Sequence, residues 1–558
     1  MGSSLPLFAL AAPDSGQILN QQKTQPQLPK HLPAAEPGND PAHPQSGGPS
    51  VRVDTVRFTQ LEGLASDAEL QSIVVGSLGQ TLSYEQLLSL TDSVTAYLRK
   101  KGFLLARAYL PKQEIADGEL QISLLSGASD DIPTVELAEN ARIRADFVSK
   151  LSLRGATPGE PLRTEELERA VLLVNDLPNI SAQSILERGS RPGSTQVILK
   201  VEEDQILNGI FTLDTFGNRH TGILQGNGQV AFNNLSGYGD RLAIGIGGSE
   251  GLRRGDISYS SPLGFDGLNA SISYSGLTYE LGDEYKDLAI EGLAHSFSAS
   301  VTYPTIRTRA LSLWQGAQIG YRQLEDDVSG EELRDREIKT VATDFTLHRY
   351  DRFAGGGLTT AYTKVLFGDL TLGVPFDKTA DAATAGTAGS YAKLVYNATR
   401  LQRISENDTL FLSINGQIAD GNLDSSEKFI LGGPYGVRAY PVGEASGDQG
   451  LTLTAEWRHD LASDVFGSRL QFVSFYDSGY IQLHKNPWSN SINTATGDNH
   501  YSISGAGFGL NFGKSDKFMI RGSVARTIGK NAGRDLSGND ADNRDDDTRI
   551  WLQTLFWF

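Results

Sequence analysis

The residue types that could do covalent chemistry fall in only a few places. Gly247-Gly248-Ser249-Glu250-Gly251 matches the G-x-S-x-G pattern of serine hydrolases, which needs a sharp strand-to-helix turn that lifts the hydroxyl beside an oxyanion site. Alternating strands flank it on both sides, so it reads as a hairpin loop. Gly513-Lys514-Ser515 resembles the end of a phosphate-binding loop, but the first glycine of such a loop would fall at Phe508 and no helix N-terminus follows to hold phosphate. The acidic run from Asp535 to Asp547 lacks the glycine and glutamate spacing of a calcium-binding hand, and reads as a solvated loop. The 8 histidines form no paired metal spacing, and 0 cysteines removes thiol nucleophiles, disulfides and Cys-based zinc sites. The expectation is a chain that is not an enzyme and holds no cofactor, nucleotide or metal. What remains is one arginine, Arg438, inside the run GGPYGVRAYP from Gly432 to Pro441. A cation framed by glycines and prolines marks a loop tip placed against something.

At 558 residues the chain exceeds one ordinary domain of roughly 150 residues. Lys+Arg of 49 against Asp+Glu of 67 gives a net charge of -18 with no basic block, which excludes nucleic acid as the main partner. No run approaches the roughly 18 apolar residues of a transmembrane helix. A β-barrel passes such a scan unseen. Near the N-terminus, LPLFALA ends in Ala9-Leu10-Ala11, which reads as the tail of a truncated export signal although the stretch is short and has no basic region.

Pro13 to Gln22 is a short helical stretch with Asp14 and Ser15 as possible caps, so residues 1–25 comprise the signal remnant and this helix. Residues 26–50 hold seven of the 21 prolines and form an extended linker. From Val51 the pattern is mixed: a strand to Phe58, a capping box at Ser66 and Glu69, and a longer helix opened by Ser83 with Leu87, Leu90, Val94, Tyr97 and Leu98 on its apolar face. Strands at Leu104–Leu110 and Glu119–Leu125 complete a strand, helix, helix, strand, strand unit over residues 51–127. The same order recurs over residues 131–203, with strands near Pro133–Leu137, Ser181–Arg188 and Gln196–Val201 and helices at Ala145–Leu151 and from Thr164.

After Glu203 the texture becomes alternating segments of about ten residues, the strand signature. Leu268, Ala270, Ile272 and Tyr274 oppose Asn269, Ser271, Ser273 and Ser275. Phe297, Ala299, Val301 and Tyr303 oppose Ser296, Ser298, Ser300 and Thr302, and Leu451, Leu453, Ala455 and Trp457 oppose Thr452, Thr454, Glu456 and Arg458. Every second connection is short, as at Ser236, Ser261, Pro304, Tyr350, Arg403 and Gly513. The intervening ones at 325–336, 379–389, 419–447, 478–501 and 529–547 are long and polar. That parity is the mark of an outer-membrane barrel, so residues 204–558 are expected to form a 16-stranded transmembrane antiparallel β-barrel, closed by RIWLQTLFWF with Phe558 in register with Ile550, Leu552, Thr554 and Phe556. The parity places Arg438 in the loop after strand eleven.

The order of a Pro-Asp-Ser-Gly-Gln helix, a Pro-rich linker, two small α+β domains, a barrel and a Val-Arg-Ala-Tyr loop resembles the outer-membrane transporter of bacterial two-partner (type V) secretion systems, over nearly the whole chain. The resemblance implies a mainly β protein with two periplasmic polypeptide-transport-associated (POTRA) domains, and a barrel-plugging helix marked here by Asp14, Gly16 and Gln17. It implies that the loop motif, Val437, Arg438, Ala439 and Tyr440, reaches into the lumen, where Arg438 meets Asp477 of a Phe-x-Asp-x-Gly motif formed by Phe475, Asp477 and Gly479. The family usually has glycine at the Ala439 position, which leaves the turn geometry open. Local alternation does not place Asp477 on the lumenal face, since Leu470 to Ser478 carries apolar residues on both faces. The implied function is ATP-independent export of one dedicated exoprotein of the adhesin, haemolysin or toxin class, recognised through its N-terminal secretion domain. The implied partners also include the outer-membrane bilayer of a Gram-negative cell and the barrel-assembly machinery. An outer-membrane insertase of the same superfamily is the alternative, disfavoured by two POTRA domains and a plug helix, and a passive porin would have no use for the tandem domains.

Overall fold

The computed structural model describes residues 12–22, 50–61, 63–115, 117–461 and 466–558. The expected signal remnant, apart from Ala12, and nearly all of the linker lie outside these residues. Helix α1 spans Ser15–Gln21.

In the first small domain, α2 (Asp67–Val74) and α3 (Tyr84–Lys100) are opened by capping boxes at Ser66/Glu69 and Ser83/Gln86. Each cap satisfies a helix N–H that has no partner in its own helix. The face of α3 that packs inward is Leu87, Leu90, Thr91, Val94 and Leu98, at the i, i+3, i+4, i+7 spacing of one helical side. It covers a sheet in which Thr55–Thr59 pairs parallel with Glu119–Ser123, whose other edge takes Arg107–Tyr109. The strand expected over Val51–Phe58 breaks at Asp54, and its first half, Ser50–Val53, pairs with an unforeseen strand at Gln80–Ser83. The second domain repeats the order, with α4 (Ala145–Ser152), α5 (Thr164–Asn175) and strands Thr134–Leu137, Ile180–Arg188 and Ser194–Glu203. Each domain has its own core. Leu104 and Leu105 of the first domain pack into a small cluster around Leu162, Leu167 and Val197 of the second.

Sixteen antiparallel strands form a closed barrel. The first, Leu207–Asp214, pairs with the last, Thr548–Trp557, and Gly209 and Phe558 exchange backbone hydrogen bonds of 2.8 and 3.1 Å at the seam. Alternation assigns the two faces. Ile272, Tyr274, Phe297, Val301, Leu453 and Trp457 are exposed on the outside. The opposite face carries serine ladders such as Ser273 with Ser298 at 2.7 Å and Ser271 with Ser300 at 2.8 Å. An apolar exterior and a hydrogen-bonded polar interior are what a barrel in lipid requires.

The short/long parity is less strict than the sequence suggested. Ser249–Gly251 is a tight connection between Arg241–Gly248 and Leu252–Pro262. The segment 325–336, read as a long loop, is mostly strand: Leu311–Val328 and Glu331–Asp351 continue as a hairpin around Ser329 and Gly330. Of its charged residues, Asp326, Arg334 and Arg336 face inward and bond α1 or one another, and the outward ones lie where the face need not be greasy.

The second small domain docks on the short turns of the barrel. Asp176 accepts from Arg307 Nη2 at 2.6 Å and Nε at 2.8 Å, Arg169 Nη1 donates to the Pro304 carbonyl at 2.7 Å, and Arg154 Nη1 to Asp266 at 2.8 Å. Phe147 packs edge-on against Tyr238.

Candidate functional site

Among the described residues, α1 and the loop 420–448 enter the lumen. The Asp14 carboxylate caps α1 by accepting from the Gln17 N–H at 2.9 Å, the role expected of aspartate before a helix. Its other bonds are non-local. Asp14 Oδ2 accepts from Arg334 at 2.7 Å and Arg336 at 3.2 Å, and Oδ1 from the Ser425 hydroxyl at 2.7 Å. Burial would push this carboxyl up, but the Arg336 and Arg334 guanidiniums, with the Gln17 N–H, hold it down at about 2.

Arg336 ties the plug to both wall and loop. It donates to Asp326 at 2.6 Å, Asp424 at 2.8 Å, Ser425 at 2.9 Å and the Ser15 hydroxyl at 3.0 Å, while the Ser15 N–H donates to Asp326 at 2.7 Å. Further along α1, Asn20 donates to the Lys428 carbonyl at 2.6 Å and Gln21 accepts from Asn218 at 3.0 Å. Gly16 is needed for contact: a Cβ there would lie 2.8 Å from the Ser426 nitrogen. Gln17 contributes its backbone and is half-buried, whereas Ile18 is fully buried among Leu252, Leu277, Tyr279 and their neighbours. Nothing in the sequence singles out Arg334, Arg336, Asp326 and Asp424, since all four sit in segments that read as long polar connections and the Asp14 they surround lies more than three hundred positions from Arg334 and Arg336.

The loop brings Arg438 to Asp477. Arg438 Nε donates to Asp477 Oδ2 and Nη2 to Oδ1, each at 2.8 Å, and the Arg438 N–H also reaches Oδ2 at 3.2 Å. This is the bidentate fork that guanidinium geometry favours. Nη1 donates to Glu456 at 2.6 Å, the guanidinium carbon lies 3.4 Å from the centre of the Phe475 ring, and Thr454 adds a hydrogen bond to Asp477 at 3.0 Å. Glu456 is shared with Arg458, whose Nη2 is 2.6 Å away. Asp477 is 1% exposed and therefore lumenal, along with Val473, Phe475 and Ile481, while Tyr476 and Tyr480 point outward. Both faces of this strand are apolar because one meets lipid and the other meets the loop.

Val437, Ala439 and Tyr440 are buried in one cluster with Leu431, Phe475 and Ile503. Ala439 does not have the positive φ that glycine would permit, and its methyl group sits directly over Gly505, where a Cβ would collide with it. A Cβ on Gly479 would lie 2.9 Å from Leu431 and 3.2 Å from Val437, so that glycine makes room for the loop. Trp551 of the last strand donates to the Arg438 carbonyl at 2.8 Å. The loop also meets the connection 529–547. Burial and the nearby Asp540 push the Glu444 carboxyl up to about 7, although it accepts from the Asn531 amide at 2.7 Å and the Ala541 N–H at 2.7 Å.

Beside α1 and the loop lies a lumenal cavity of about 820 Å³, lined by residues such as Gln21, Arg254, Lys364, Tyr396, Tyr435 and Thr452. Its wall mixes polar side chains with apolar ones such as Ile338 and Leu366, which belong to the cluster that also buries Ile18. Helix α1 is held by ion pairs and hydrogen bonds beside the buried Ile18, polar contacts that can be exchanged for water, whereas the loop adds an apolar cluster around Val437, Ala439 and Tyr440; both stand where a chain crossing the barrel would pass.

Comparison with known proteins agrees with this architecture. Residues 193–512 match the family described as haemolysin secretion/activation protein ShlB/FhaC/HecB, and residues 51–127 match the ShlB-type POTRA domain. Among curated relatives, the heme/hemopexin transporter protein HuxB of Haemophilus influenzae (strain 86-028NP) is 27% identical, covering 99% of this chain and 96% of that one. The outer membrane transporter CdiB of Dickeya dadantii (strain 3937) is 25% identical, covering 78% and 77%. Among solved structures, CdiB from Escherichia coli aligns over 100% of both chains with a TM-score of 0.72 at 18% identity. BamA from Haemophilus ducreyi lacking POTRA domains 1-3 aligns over 91% of this chain and 99% of that one with a TM-score of 0.51 at 14% identity. With more than half of its length matched by the family model and its barrel, POTRA domain and relatives in accord, the chain belongs to the haemolysin secretion/activation (ShlB/FhaC/HecB) family of outer-membrane two-partner secretion transporters.

Proposed function

We propose that this outer-membrane translocator carries one dedicated exoprotein through its own lumen as an unfolded chain, without nucleotide hydrolysis or any covalent step. The observation that supports this most is the way the lumen is filled. Helix α1 lies inside the barrel on the ion pairs of Asp14 with Arg334 and Arg336 rather than as a piece of the wall. Water can replace such contacts at modest cost, because the desolvation penalty of a buried ion pair offsets much of its attraction. The POTRA domains capture an extended segment of the cargo, whose backbone adds to a sheet edge. The plug then yields the lumen, and folding at the surface makes passage irreversible. Arg438 anchors the loop 420–448 to the wall through Asp477, so that the loop keeps a defined position while the plug moves. HuxB is named as a heme/hemopexin transporter, and its likeness covers 99% of this chain, which makes a heme- or hemopexin-binding exoprotein the first partner to test. Assembly of the barrel into the bilayer falls to the barrel-assembly machinery.

The test is to express the chain with the large exoprotein encoded beside it and to assay medium, cell surface and periplasm. Export that requires the chain, with unchanged levels of other outer-membrane barrels, is expected. Exoprotein at the surface without the chain, together with failure of other barrels to assemble, would support the insertase reading instead.

A further inference from the structure

At the outer rim, the connections 215–224 and 281–289 bring His220, Asp283 and Glu284 together with their ligand atoms within 4.8 Å of one another. Acidic pairs at a surface are common and by themselves mean little. The informative residue is the histidine. Its side chain is 1% exposed, yet Nδ1 has no hydrogen-bond partner and points at Glu284 Oε1, 3.5 Å away. In the tautomer protonated at Nε2 the ring presents a lone pair at Nδ1, and here that lone pair faces carboxylate oxygens.

We propose that His220, Asp283 and Glu284 form a binding site for a first-row divalent transition ion of the Zn2+ class. One imidazole and two carboxylates suit Zn2+ and its neighbours rather than Ca2+ or Mg2+, which prefer all-oxygen shells. Arg219 donates to Glu284 at 2.8 Å and lies 3.4 Å from Asp283. It cancels one of the two carboxylate charges and leaves the cluster net negative. Asn543 also hydrogen-bonds Glu284. Asp283 is exposed, so its side chain has room to turn and close the span to the roughly 2.0–2.2 Å ligand distances of zinc. Through Asn218, which accepts from the His220 N–H at 2.8 Å and donates to Gln21 at 3.0 Å, the site adjoins the end of α1.

The probe is Zn2+ itself. Untagged full-length chain in detergent micelles, stripped with chelator and dialysed, is titrated with ZnCl2 by calorimetry, and Co2+ absorption reports the donor set. The expected result is saturable binding of one ion per chain, with a Co2+ spectrum that carries a nitrogen donor. His220→Gln and Glu284→Gln should each weaken binding about tenfold or more, in variants whose heat-modifiable migration on gels shows a folded barrel. Should either variant fail to fold, Asp283→Asn on the exposed side of the cluster and the Co2+ spectrum of the unaltered chain decide. Absence of saturable Zn2+ binding, binding untouched by the substitutions, or equal affinity for Ca2+ would overturn the proposal.

Discussion

The Asp14→Asn substitution isolates the charge that holds the plug. Asparagine caps helices about as well as aspartate, so the helix start is kept while the ion pairs with Arg334 and Arg336 are lost. The Asp14 carboxyl is lowered from 3.8 to about 2 when α1 is docked, and at 1.36 kcal/mol per pH unit this corresponds to roughly 2 to 3 kcal/mol of docking free energy, or on the order of sixtyfold in the docked-to-undocked ratio. Because the docked value is the lower one, this contribution is fully present above pH 3.8 and is lost only as pH falls through about 2. Docking should therefore show no loss from this group between pH 8 and pH 5. The chain has 0 cysteines, so an Ile18→Cys background carries a single thiol at a position that is 0% exposed in the docked helix. Its labelling rate by a membrane-impermeant thiol reagent measures how often α1 leaves. Asp14→Asn should raise that rate on the order of sixtyfold at neutral pH. A rate within threefold of the parent would refute the claim that these ion pairs hold the plug.

Other perturbations address the loop. Arg438→Ala leaves Asp477, 1% exposed, and Glu456, 8% exposed, without their shared cation. Removing one partner of a buried pair costs about 3–5 kcal/mol, so limited proteolysis should cut the loop 420–448 much faster and export should fall. Arg438→Lys keeps the charge but loses the fork and should fall between. Gly505→Ala places a methyl group against that of Ala439 and should unseat the loop by an overpacking cost of about 1–3 kcal/mol, while adding Ala439→Gly should restore the parental proteolysis pattern. Glu444, pushed up to about 7 from 4.5 by burial and Asp540, favours the docked loop most below pH 4.5 and loses that advantage as pH rises through about 7. A spin label in 529–547 should become more mobile from pH 5 to pH 8, and Glu444→Gln should abolish the change.

Much of the barrel is written in its alternation, because lipid on one side and water on the other impose a period of two that survives in single strands such as Leu451–Arg458. The hairpin 325–336 reads as a loop for the same reason: beyond the bilayer that constraint lapses, and a polar strand resembles a loop. The helices of the small domains were legible from their caps, whereas the strand Gln80–Ser83 exists only because Ser50–Val53 lies beside it. Arg438 and Asp477 could be paired through family resemblance but not through local pattern, as Phe475 faces the loop and Tyr476 faces lipid. The hold on α1 was beyond reach: Asp14 meets Arg334, Arg336 and Ser425 across more than three hundred positions, and nothing near Asp14 in the chain announces them.

The central claim is that the exoprotein passes through this lumen. A photo-reactive amino acid placed at Tyr396 or Lys364, which line the lumenal cavity, and at Ile319, which is 57% exposed on the outer face, tests it in cells during export. Covalent adducts with the exoprotein from the two lumenal positions and none from Ile319 are predicted. Adducts from Ile319 alone, or none from the lumen while export proceeds, would contradict the account.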